Sequence, residues 1–358
     1  VAEHALPALA EPVWRRPLPL CLGLTLILLL AVLGALATGP LELPPGRVLA
    51  TLSHTIGIHW GDPPSAVENA ALLQIRLPRV VLGLLVGAAL AASGGAMQGV
   101  FRNPLADPAL IGVSSGAALG AAAVIVFFGA GIGPISYAFS LPLAAFAGGA
   151  VAAWTVARLS MADGVTRVAT MLLAGLAINA VANAGIGLFT QLADDFALRS
   201  LTFWLFGSLG KASWTEIAVA APVLVVSTAL IPRDASALNA LLLGEAEAGH
   251  LGVAVERLKR RLVILVVLAV GASVALTGVI GFVGLIVPHL IRLWAGPDHR
   301  LLLPASALLG AILLTLADTA ARTVAAPIEL PIGILTALVG GPFFIALLLR
   351  FRNDGETL

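Results

Sequence analysis

The side chains able to do chemistry are few, and their spacing excludes most reactions. Asp318 is a carboxylate inside an apolar run, and Arg322 follows four residues on. That spacing stacks the two on one helix face, as a structural ion pair or as a proton site. Cys21 stands alone, so neither a disulfide framework nor a thiolate metal site is expected. His4, His54, His59, His250, His289 and His299 fall in loops or near span boundaries, and none forms a metal-binding pair such as HExxH. Leu205 to Ser213, LFGSLGKAS, approximates a phosphate loop. It has Leu205 where the first glycine belongs and Ala212 where a serine or threonine belongs. No catalytic residue, bound metal or permanently bound cofactor is expected, and energy for uphill movement must come from a partner subunit or an ion gradient.

The remaining polar residues are suited to contact rather than reaction. Arg76 and Arg79 flank a proline-stiffened turn, RLPR, as snorkelling anchors would. Asn179 and Asn183 lie one helical turn apart and so share a face. They either bond a neighbouring helix or line a mildly polar pathway. Arg199 with Phe203 and Trp204 offers a cation and stacking surfaces, although aromatic residues are ordinary at a membrane interface. In Phe101 to Ala117, FRNPLADPALIGVSSGA, Asn103-Pro104 and Asp107-Pro108 stop one helix while Gly112, Ser114 and Ser115 start the next. Pro232 to Arg261 divides into short helical pieces: Ala235 to Leu243, a break at Gly244, Glu245 to His250, then Leu251-Gly252. Its apolar residues lie between charges, which fits a solvated loop or a docking element with a partner surface for those residues.

The elements that must position these residues are membrane helices. Of 358 residues, 59% are hydrophobic and 11% charged, with a mean hydropathy of +1.03; a soluble fold is excluded. Ten apolar runs read as spans at 18–38, 79–100, 109–129, 140–158, 168–190, 214–232, 262–279, 281–295, 302–319 and 331–349. Gly281, Gly284 and Pro288 interrupt the eighth, so a broken or half-length helix is expected there. The fold class is therefore all-α and polytopic, one domain over 1–358 with a cytoplasmic loop at 233–261. Of the twenty Lys and Arg, only Arg47, Arg76, Arg79, Arg199, Lys211 and Arg322 fall on one side; the other fourteen, Arg15, Arg16, Arg350 and Arg352 among them, place both termini in the cytoplasm. Small residues in Gly87 to Gly95, Gly112 to Gly120 and Ala144 to Ala152 predict close helix contacts. A net charge of +1 offers no nucleic-acid footprint.

Six stretches together resemble the FecCD/BtuC-type permeases of ABC importers for haem, ferric siderophores and cobalamin. They are RLPR at 76–79, GAALAASGGAMQGVFRNPLADPALIGVSSGA at 87–117, GEAEAGHLGV at 244–253, TGVIGFVGLIVPHLIR at 277–292, GPDHRLLLPAS at 296–306 and ELPIGILTALVGGPFFIALL at 329–348. The resemblance implies a type II importer fold of ten spans in a bacterial inner membrane. It implies two copies around a central pathway, two ATP-binding subunits beneath, and a periplasmic binding protein docking outside. On that basis Leu238, Leu241, Gly244, Glu245, Ala246, Leu251 and Gly252 match the ATPase contact. Arg76 and Arg79, joined by Arg322, match arginines that pair with glutamates of the binding protein. Asn179, Asn183, Arg199, Phe203 and Trp204 would line the pathway. LRSLTFW at 198–204 looks like the haem-transporting branch, with haem as cargo.

Overall fold

An apolar run in hydrocarbon has one way to satisfy its own backbone as a single segment, which is to close each N–H onto a carbonyl four residues back. The computed structural model describes residues 17–129, 131–132 and 135–354; His4, Arg15 and Arg16 lie outside them. In chain order its helices are α1 (Pro17–Ala37), α2 (Pro45–Thr55), α3 (Ala66–Asn69), α4 (Leu77–Phe101), α5 (Val113–Phe127), α6 (Tyr137–Leu159), α7 (Val168–Leu192) and α8 (Asp195–Leu205). Then come α9 (Trp214–Leu230), α10 (Ala235–Leu242), α11 (Glu245–His250), α12 (Val255–Thr277), α13 (Val283–Ala295), α14 (His299–Thr323) and α15 (Ile332–Asp354). Among the described residues seven helical segments are long and apolar enough to cross a membrane, and Val113–Phe127, Val283–Ala295 and Ile332–Leu347 are shorter apolar helices. Each of the ten expected spans falls on one of these.

Helix α4 is the central element. Most of it from Pro78 to Phe101 is buried, and it packs on α9, α12, α13 and above all α14. The small residues explain how closely the backbones approach: a Cβ on Gly94 would lie 1.8 Å from the Gly284 carbonyl oxygen of α13, and one on Gly87 would lie 2.3 Å from that of Gly310 in α14. No side chain fits at either crossing, which is the packing small residues permit in lipid.

Several local breaks follow from sequence chemistry. Ahead of α4 a π-helical turn, Ala70–Arg76, leads into Leu77-Pro78; the proline supplies no N–H, and the helix widens there. Helix α4 ends at Arg102, in the left-handed conformation. The Asp107 carboxylate accepts from the Ala109 N–H at 2.7 Å, and Gly112, at φ 82°, opens α5. Burial pushes the Asp107 carboxyl above its ordinary value, with the Ala109 N–H opposing it. Helix α13 has 13 residues, about 20 Å at 1.5 Å per residue. It is half-length, as expected, because Gly278 and Phe282 at positive φ hold the preceding stretch out of helix.

One histidine departs from its expected place, and another keeps its boundary position but is enclosed. His289 lies inside α13, 5% exposed, with its ring 6.2 Å from that of Phe343. His299 opens α14 and is fully enclosed, its Nδ1 2.9 Å from Asn239 Oδ1. Proximity to a span boundary in sequence does not set exposure once neighbouring helices close over the residue.

Candidate functional site

The sequence-marked residues gather at three places: the end of the bundle formed by the α1 C-terminus, α2 and the α4 N-terminus; the exposed faces of α7 and α8; and the opposite end, which carries α10, α11 and most of the basic residues.

At the first end the arginines face inward. Arg76 is 4% exposed and donates to the carbonyls of Leu36 at 2.6 Å, Ala37 at 3.1 Å and Leu41. It therefore satisfies the last carbonyls of α1, which no residue of α1 itself can bond. Gly39 makes room for it, since a Cβ there would lie 2.7 Å from the Arg76 guanidinium. Arg79 is 6% exposed; its Nε donates to Asp318 at 2.8 and 3.0 Å, and its Nη1 to Glu329 at 2.9 and 3.0 Å. Arg322 donates to Ala35 O at 2.9 Å and lies 3.4 Å from Asp318. Neither Arg76 nor Arg79 snorkels to an interface, because the π-turn and Pro78 swing both into the bundle. Asp318 forms the expected pair with Arg322, and its shorter contact is with Arg79, 239 residues away. Of this group Glu329 alone is open, with a side chain 54% exposed.

Along α7, Asn179 accepts from the Ser115 hydroxyl and donates to Ala109 O at 3.3 Å, tying α7 to α5 and the turn before it. Asn183, one turn on, is exposed. On α8, Ala197 and Leu201 are buried while Arg199 and Phe203 are exposed, the latter at 61%. Trp204 turns away from them and packs against the core. The structure adds Phe196, 81% exposed, whose spacing of three and seven from Arg199 and Phe203 puts all three on one face. That spacing was the available signal.

At the basic end the break at Gly244 stands, with φ 127° between α10 and α11. The expected partner-facing leucines are corrected: Leu238 and Leu241 are wholly buried in the bundle, Leu238 lying against Gly99 of α4. The exposed apolar residues are Leu242, Leu243 and Leu251 at 43%, 67% and 65%, accompanied by Ala246 and Gly252. The helical turn sends Leu238 and Leu241, three residues apart, inward, so part of the apolar content is satisfied internally. Lys259, 1% exposed, draws three elements together: its Nζ donates to Glu245 of α11 at 2.7 Å, to Glu256 of α12 at 3.1 Å and to Thr166 O at 3.0 Å. Thr166 belongs to the short ribbon of Met161–Ala162 and Val165–Thr166 that leads into α7. On the other flank Asn239 of α10 donates to Asp298 at 2.6 Å and accepts from the His299 N–H at 2.9 Å. Burial raises the Asp298 carboxyl, but hydrogen bonds from Arg300 N–H and Asn239 outweigh it and hold the group below its ordinary value.

Residues 26–350 match the FecCD transport family. The chain is 46% identical to the hemin transport system permease protein HmuU of Yersinia pestis, over 94% of this chain and 97% of that one. It is 45% identical to the cobalamin import system permease protein BtuC of Halobacterium salinarum, over 83% and 78%. A solved structure described as an inward-facing conformation of a metal-chelate type ABC transporter superposes with a TM-score of 0.81 at 32% identity, covering 93% of this chain and 99% of that one.

Proposed function

The chain belongs to the FecCD transport family, the permeases of ABC importers, and from that premise we propose that it carries haem inward across a bacterial inner membrane. In this reading two copies form a pathway between them, and a periplasmic binding protein delivers cargo to the end that holds Arg79 and Glu329. Two separate ATP-binding subunits dock on α10 and α11. The basic end faces the cytoplasm, where Lys and Arg collect, and both termini lie there.

One observation carries the cargo assignment: Phe196, Arg199 and Phe203 share the exposed face of α8. Two rings and a guanidinium suit a flat aromatic macrocycle bearing propionates. The similarity to a hemin permease supports the same choice. The second reading, favoured by the similar identity to a cobalamin permease, is cobalamin or a ferric siderophore in the same kind of importer. Docking of the binding protein is proposed at Arg79, which exchanges its exposed intramolecular partner Glu329 for a carboxylate of the incoming protein. Arg76 and Arg322 hold the α1 end rigid beneath that contact.

ATP-driven uptake by the complex reconstituted in proteoliposomes, with haem, cobalamin and a ferric siderophore compared, tests the proposal. Haem is expected to accumulate fastest, and to do so after ion gradients are collapsed. Preferred uptake of another cargo selects the second reading, and uptake that follows an ion gradient without ATP selects a secondary transporter.

A further inference from the structure

A second basic feature adjoins Lys259, in a groove of about 500 Å³ between α6 and α12 at the basic end. From α6 it takes Trp154 and Arg158, one helical turn apart, with the guanidinium carbon 5.6 Å from the indole centroid. From α12 it takes Arg260, Ile264 and Leu268, whose spacing of four makes one stripe. Trp154 is 61% and Ile264 53% exposed, and Arg158 and Arg260 are exposed.

The charge here is uncompensated. Glu245 and Glu256 are bound to Lys259, and Asp234 is bound to Arg261. Arg158 and Arg260 have no ion-pair partner among the described residues. Both sit where apolar helix begins: Arg158 in the last turn of α6, Arg260 just before the apolar run of α12. Below them the lining is Ala, Val, Leu and Ile. A cationic mouth at headgroup depth, an interfacial indole and an aliphatic shaft form the complement of a molecule with an anionic head and an acyl tail. A free phosphate would use the mouth and leave the shaft without a purpose.

We propose that this groove binds an anionic phospholipid, its phosphate held by Arg158 and Arg260 and an acyl chain lying along Ile264 and Leu268. Lys259 and Thr166 line the same groove, so the bound lipid abuts the tie between α11 and the ribbon that leads into α7. The assignment is independent of which cargo the importer carries.

Native mass spectrometry of the full chain in detergent tests this, with titration of phosphatidylglycerol, phosphatidylcholine of the same acyl composition, and glycerophosphate. Phosphatidylglycerol is expected to bind the parent chain, and R158Q/R260Q to bind it roughly 30-fold more weakly, about 1 kcal/mol for each cation at 1.4 kcal/mol per tenfold. Equal binding of phosphatidylcholine, an unchanged affinity in the double variant, displacement by glycerophosphate, or a co-purifying protein seated on these residues would overturn the proposal. A second measurement covers a variant that does not fold. Phosphatidylglycerol with brominated chains should quench the parent chain more than Trp154→Phe, and equal quenching of the two refutes the site.

Discussion

Asp318, 2% exposed, holds one guanidinium at hydrogen-bond distance and a second at 3.4 Å. Neutralising one charge of a buried ion pair is costly, because the guanidiniums left behind lose most of their compensation where water does not reach them. Asp318→Asn is therefore expected to destabilise by about 3 kcal/mol or more, read as a large fall in the melting temperature of the chain in detergent. Glu329→Gln is expected to cost less than about 1 kcal/mol, because its side chain is more than half exposed and solvent screens the pair. Equal effects would mean that the network is not centred on Asp318. Arg199 makes the opposite case, since it is exposed and the fold does not lean on it. Arg199→Ala should lower haem uptake at least fivefold in the reconstituted complex while leaving its basal ATP hydrolysis unchanged; undiminished uptake would remove Arg199 from the pathway.

Among the elements, α11 has the clearest mechanical connection. Its Glu245 meets Lys259, and Lys259 meets the ribbon leading into α7, so displacement of α11 by a partner reaches α7 through two hydrogen bonds. Lys259→Met cuts that link. Glu245 and Glu256, with side chains 36% and 34% exposed, can then be hydrated, so the cost to folding stays modest. The expected signature is a fall of about tenfold in haem imported per ATP hydrolysed, in a complex that still assembles and hydrolyses ATP. An unchanged ratio would mean that force reaches α7 by another route.

At the scale of the molecule, α7 is the least buried of the long apolar helices among the described residues. Its exposed arc has two flanks: Ala180, Asn183 and Gly187 on one, Val181, Leu188 and Leu192 on the other. The small and polar flank suits a pathway shared with a second copy, and the large aliphatic flank suits lipid. Gly187→Trp should then reduce uptake below about a tenth, since a Cβ there meets open space in the single chain and the ring would project into the pathway. Val181→Trp should leave uptake near the parental rate, and equal inhibition by both would contradict the division. The positions of spans and breaks were legible without coordinates, because crossing a hydrocarbon layer is a matter of local composition and length. The break at Gly244 and the short α13 likewise follow from backbone turns at Gly244 and Gly278, which act on their own neighbours. The rotation of each helix and the partner of each charge were not legible. Leu238 and Leu241 turned inward, Arg76 reached the end of α1, and Arg79 met Asp318 across 239 residues of chain. Such outcomes depend on which backbones approach at Gly87 and Gly94 and on buried charges finding each other afterwards. Sequence alone determined that this is a helical membrane bundle with its breaks at given positions, since those properties are local. Tertiary structure decided which residues are left exposed to work, since azimuth and ion pairing are settled by contacts between segments distant in the chain.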